Sequence, residues 1–156
     1  MSRATLARLR TIDLFDCCRR RDLATIDGLG ATLDLRAGCT LCREGRPGAE
    51  FFVLLDGLVD VHTASGTAAV LRPGAWFGEA ALIDHAPRRA TVTARTPVIV
   101  IVFGKREFTS LLACAPGVRE KLERTTAHVV AGDAPTGQPW FQPLPSRPPV
   151  AMFDRV

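Results

Sequence analysis

The feature that most constrains this chain is the spacing of its glycines. Gly38, Gly45, Gly48, Gly57, Gly66 and Gly74 cut residues 31 to 76 into pieces too short for helices of ordinary length. The pieces between and beyond them are rich in Val, Leu, Thr and Phe: Thr32 to Arg36, Thr40 to Arg43, Phe51 to Leu55, Leu58 to Thr63, Thr67 to Leu71, Ala90 to Arg95 and Pro97 to Phe103. Short β-type runs at regular spacing, separated by turn residues, predict an all-β sandwich or barrel. Asp56-Gly57 and Ser65-Gly66 are candidate hairpin turns, because glycine supplies the positive φ such turns need.

Helical spacing borders this region on both sides. Leu6 to Phe15 and Arg20 to Leu29 carry apolar residues at Leu6, Leu9, Leu23, Ile26 and Leu29, and Glu107 to Cys114 and Val118 to Val130 follow the last strand. Six of the eleven prolines then fall in the last 26 residues, which favours extended or polyproline conformation there. Trp140, Phe141, Leu144 and Phe153 in that tail imply that it docks on its own domain or on a partner.

Composition excludes several classes. With 47% hydrophobic and 23% charged residues the chain is globular in type. The strongest apolar run, Val98 to Phe103, is far too short to span a bilayer, and the arginine-bearing start has no apolar signal core. A cytoplasmic protein with no membrane association is expected. The net charge of +4 comes from scattered arginines, whose one dense run, Arg19 to Arg21, fits a solvated helix face. Cys39 and Cys42 lie three apart in a short strand, so their side chains point to opposite faces and make a poor metal pair. His62, His85 and His128 lack the spacing of a metal-binding barrel enzyme. His85 is expected to be exposed and Trp76 to be a packing residue.

One segment carries chemistry: Phe77-Gly78-Glu79-Ala80-Ala81-Leu82-Ile83, a variable tip, then Pro87-Arg88-Arg89-Ala90-Thr91-Val92. Glu79 to Ile83 suffices for one helical turn, whose free N–H groups favour an anion, and the small residues Gly78, Ala80 and Ala81 let it approach closely. Arg88 can add two parallel hydrogen bonds to a phosphate. Glu79 would repel that phosphate unless it faces a donor such as a sugar hydroxyl. An anion site beside a hydroxyl acceptor indicates a sugar phosphate or nucleotide. A ligand-free Arg88–Glu79 ion pair is the plainer alternative.

The segment resembles the phosphate-binding cassette of the cyclic-nucleotide-binding domains found in protein kinase regulatory subunits, gated channels and catabolite-activator-type regulators. F-G-E, an apolar run and P-R-x-A-T-V are the shared pattern. Arg36-Ala37-Gly38, Arg43-Glu44-Gly45 and Phe52 to Val61 are similar to the family's strand and glycine punctuation. The resemblance implies a mainly β fold, a jelly-roll-like β-barrel with short flanking α-helices at both ends. It implies a cyclic-nucleotide-binding domain over residues 12–127 and a proline-rich C-terminal tail over 128–156. By resemblance Arg88 binds the cyclic phosphate, Glu79 the ribose 2′-hydroxyl, and Gly78, Ala80, Ala81, Arg89 and Ala90 complete the cradle. Val118, Leu122 or a neighbour on the last helix would cap the base.

Arg89 replaces the hydroxyl residue that helps some members read guanine, so cAMP is expected over cGMP, with no other cofactor. The function implied is non-enzymatic: a regulatory protein signalling to a protein partner, or to a second copy, through its C-terminal helix. The competing reading is a degenerate, ligand-free interaction module recruiting a partner through Trp140 to Leu144. A helix-turn-helix arm needs roughly 45 residues, from three helices of about 11 and loops of about 4–6. The 29 proline-rich residues after Ala127 do not supply it, so DNA binding is not expected.

Overall fold

The computed structural model describes residues 3–16, 18–64, 66, 68–83, 85, 87–122 and 141–143. Two helices, α1 (Arg3–Arg10) and α2 (Arg20–Leu29), flank a 3-10 turn at Asp13–Phe15. Six strands follow: β1 (Ala31–Leu35), β2 (Thr40–Cys42), β3 (Glu50–Asp56), β4 (Val59–His62), β5 (Ala68–Leu71) and β6 (Trp76–Phe77). Then come α3 (Glu79–Ile83), β7 (Thr91–Ala94), β8 (Val98–Gly104), α4 (Lys105–Cys114), helical residues 116–122 (α5) and β9 (Phe141–Pro143).

The strands form two antiparallel sheets, ordered β1-β8-β3-β6 and β2-β7-β4-β5-β9. The expected barrel is thus a jelly-roll-like sandwich of two sheets rather than one closed wall. Continuous apolar runs become its central strands, because a strand covered on both faces has no reason to alternate. β3 is buried from Phe51 to Leu55. Phe51 lies 5.9 Å from Phe103 and 5.1 Å from Phe108 of α4, so this side of β3 meets the helices. Phe52 stacks on Phe77 of β6 at 5.0 Å. Leu23 and Ile26 of α2, with Phe108 and Leu111 of α4, complete the core beside Leu9, Leu14 and Phe15.

The two candidate hairpins turn out differently. β4 and β5 pair directly, His62 against Ala68, so Gly66 does sit in a hairpin loop. Asp56-Gly57 does not: β3 and β4 belong to different sheets, and the chain crosses the sandwich there. Gly57 has φ +86°, and a Cβ there would meet the Pro97 carbonyl of the β7–β8 connection at 2.3 Å, so both the turn's conformation and its close packing require glycine without a hairpin. Leu6 to Phe15 is not one helix, since α1 ends at Arg10 and the 3-10 turn follows. Trp76–Phe77 is a strand the periodicity did not show, two residues being too few to display a period.

At the helical end, Arg19, Arg20 and Arg21 are exposed, while the Arg19 amide donates to the Asp22 carboxylate at 3.0 Å and starts α2. Pro116 opens α5, where its missing N–H costs nothing. Val118 and Leu122 are fully buried, and Lys121 donates to the Asp13 carbonyl and the Asp16 carboxylate, tying this helix to the N-terminal turn. Of the helix expected over Val118 to Val130, the part after Leu122 lies outside the described residues. So do Trp140, Leu144 and Phe153. The part of the tail that is described, residues 141–143, adds an edge strand to β5, with Phe141 opposite Leu71 and Pro143 opposite Ala69. Proline is tolerated at such an edge. Among the described residues no helix is long and apolar enough to cross a membrane.

Candidate ligand-binding site

The predicted cassette joins β6 to β7. Pairing of Phe52 with Phe77 fixes where β6 ends. The chain then reverses at Gly78, with φ +95°, a conformation that side chains resist. Space makes the same demand: a Cβ here would stand 2.7 Å from Arg88 Nη1 and 2.8 Å from the Glu50 carbonyl. α3 carries Glu79, Ala80 and Ala81 immediately afterwards. His85 is exposed, with φ +54°.

Arg88 returns beneath this turn and is 7% exposed. Nη1 donates to the Gly78 carbonyl at 3.0 Å and Nη2 to the Glu50 carbonyl at 2.8 Å. Nη2 also faces the Glu50 carboxylate at 3.4 Å, and the Phe52 ring centroid lies 5.9 Å from Cζ. The backbone is clamped as well: the Arg88 amide donates to the Arg46 carbonyl, and the Gly45 amide donates to the Arg88 carbonyl, each at 2.8 Å. Gly48 closes the cage, since a Cβ there would fall 2.1 Å from Nε and 2.2 Å from Cζ. Of the five guanidinium N–H groups, some remain unused by the protein and can meet an anion.

Glu79 is as deeply buried, 7% exposed, but is handled in the opposite way. Its Oε2 has no hydrogen-bond partner among the described residues. Burial pushes the carboxyl up to about 7, against the smaller opposing pulls of its own backbone amide, Arg88 and Arg89. The Arg88–Glu79 ion pair considered from sequence is not made; Arg88 pairs with Glu50 instead. A buried acceptor left unsatisfied costs about 1–3 kcal/mol, which a ligand's O–H donor would recover.

Arg89 and Ala90, both half-buried, form the bend that leads into β7. Thr91 is more than a strand residue: its hydroxyl accepts from the Glu44 amide at 3.1 Å and holds the turn before β3. Gly48 and Glu50 were absent from the sequence-derived site. In Arg46-Pro47-Gly48 the glycine looks like turn punctuation, and Glu50 is 38 residues from the arginine it touches. Cys42 lies close enough to feel Arg88, Glu50 and Glu79, and its thiol is pushed up to about 12, chiefly by burial. Trp76 is buried opposite Val53, a packing position as expected.

A family model for the cyclic nucleotide-binding domain matches residues 32–114, more than half of the chain and the whole of the cassette. The chain belongs to that family. Among curated relatives of this cyclic nucleotide-binding domain, a cyclic nucleotide-gated potassium channel of Mesorhizobium japonicum is 39% identical over 89 residues, 57% of this chain and 24% of the channel. A cAMP-dependent protein kinase regulatory subunit of Colletotrichum orbiculare is 32% identical over 115 residues, 72% of this chain and 29% of the subunit. The chain therefore spans about a quarter of each of these proteins. Among solved structures, the regulatory domain of Toxoplasma gondii PKA crystallised with cAMP superposes with a TM-score of 0.71 at 21% identity. That match covers 80% of this chain and 49% of the other, and shows a shared fold.

Proposed function

We propose that this domain, extending over residues 12–127, binds a cyclic nucleotide, cAMP rather than cGMP, and acts as a non-enzymatic regulatory module. The observation that carries this reading is the contrast within one cassette: a guanidinium held under the turn, and a buried carboxylate oxygen with no donor among the described residues. A cyclic phosphate would take the unused N–H groups of Arg88, and the ribose 2′-hydroxyl would donate to Glu79. Gly78, Ala80, Ala81, Arg89 and Ala90 would frame the sugar phosphate. The relatives' names supply the nucleotide class, and the site residues supply the chemistry.

Signalling would follow from a population shift. A ligand that binds one position of α5 more tightly than another moves the equilibrium by that difference in affinity. Val118 and Leu122 are buried and Lys121 is tied to Asp16, so a base-capping α5 must first leave this place. The output would be a protein partner or a second copy engaging that helix.

The second reading, a ligand-free interaction module, draws on the partners Arg88 already has in Gly78 and Glu50. Isothermal titration of the full chain with cAMP and cGMP separates the two. Saturable heat at micromolar cAMP, weaker with cGMP, is the expected result; no heat with either nucleotide overturns the proposal and leaves the interaction module.

A further inference from the structure

We infer that the turn between β2 and β3 forms, with Arg88, a second anion site suited to a phosphate-type dianion. A cavity of about 320 Å³ opens beside this turn, lined by Arg43, Arg46 and Arg88 with Glu50 as its one acidic wall. Gly78 and Glu79 are not among its walls, so it lies apart from the carboxylate half of the cassette. Three arginines thus line one cavity with a single acidic residue, whose carboxylate already faces Arg88 at 3.4 Å. Neither Arg43 nor Arg46 has an ion-pair partner among the described residues. Glu44, the acid between them in sequence, is turned away, accepting from the Ala64 amide at 2.8 Å.

The turn is also held in place before any anion arrives. The Arg46 amide donates to the Arg43 carbonyl at 3.1 Å, the Glu44 amide to Thr91, and the 2.8 Å pair of bonds joins residues 45 and 46 to Arg88. Fixing the backbone of cationic residues around a cavity concentrates repulsion that a bound dianion relieves, and preorganisation lowers the entropic cost of holding it. Guanidinium forks match phosphate oxygens in geometry as well as charge. One arginine suffices for the single charge of a cyclic phosphate, so Arg43 and Arg46 provide for an additional anionic group.

The test is titration of the full chain with pyrophosphate, in phosphate-free buffer at low salt. Saturable binding to the unaltered chain is expected. Arg43→Ala with Arg46→Ala should weaken it about tenfold or more, equivalent to about 1.4 kcal/mol, while the melting temperature holds. Should that double variant fail to fold, Arg46→Ala alone, at an exposed position, should still weaken binding about threefold. No saturable binding to the unaltered chain, or equal affinity in the folded variants, overturns the inference. The second site shares Arg88 with the cAMP reading, but Arg43 and Arg46 are its own, so titrating the same double variant with cAMP separates the two. Loss of pyrophosphate binding with cAMP binding kept speaks to the second site alone, and no cAMP binding by the unaltered chain speaks to the cAMP reading alone.

Discussion

The two ends of the cassette hide opposite charges at equal depth and treat them differently. Arg88 is surrounded: two carbonyls, a carboxylate and an aromatic ring meet its guanidinium, and two glycines make room for it. Glu79, nine positions earlier, keeps one buried oxygen without a donor among the described residues, and burial holds its proton to about pH 7. Had the cassette served only to stabilise the fold, pairing these two charges would have solved both burial problems at once. The protein gives the arginine a different carboxylate. On the proposed reading, Glu79 is the group that a ligand's donor would satisfy, and Arg88 the group already set in position.

The comparison can be broken most severely at its arginine end. Arg88→Ala should cost about 2–5 kcal/mol of cAMP binding, the range for losing a buried charge contact; calorimetry showing a loss under about 0.5 kcal/mol would remove Arg88 from the phosphate role. At the carboxylate end the signature is pH dependence. Below about pH 4.5 the carboxyl is protonated in both folded and unfolded chains. Between about 4.5 and about 7 the unfolded chain releases the proton while the folded one retains it, so stability falls as pH rises, and above about 7 the deficit is constant. The deficit amounts to about 3 kcal/mol. Urea melts across that window should show the decline, and Glu79→Gln should remove it; the same slope in both proteins would contradict the orphaned carboxylate. The finest probe is Gly48→Ala, which presses a methyl group against Arg88 without touching Glu79. Overpacking at this scale costs about 1–3 kcal/mol. Its effect on cAMP binding should vanish in an Arg88→Ala background, a non-additivity that two independent sites would not give.

Much of this was legible in the sequence, for physical reasons that also explain the rest. β3 and β8 stand out because strands covered on both faces are continuously apolar. Gly78, Glu79 and Arg88 stand out because the cassette is local and its spacing is preserved. Gly48 and Glu50 act through space on a residue some forty positions away, so local pattern cannot show them. The crossing at Asp56-Gly57 has the same turn chemistry as a hairpin, and only the partner strands distinguish the two. Whether the sheets close into a barrel depends on strand order, which short runs do not encode. The pairing of residues 141–143 with β5 was foreshadowed only by apolar residues within a proline-rich tail.

The claim that Glu79 waits for a ligand hydroxyl is tested most directly by titrating cAMP and 2′-deoxy-cAMP against the unaltered chain and against Glu79→Ala. Above about pH 8, where the Glu79 carboxyl is ionised, loss of the hydroxyl should weaken binding about tenfold or more in the unaltered chain, the scale of one hydrogen bond to a charged group, and leave the variant indifferent between the two nucleotides. Equal affinity of the unaltered chain for both, or the same discrimination in the variant, would contradict the account.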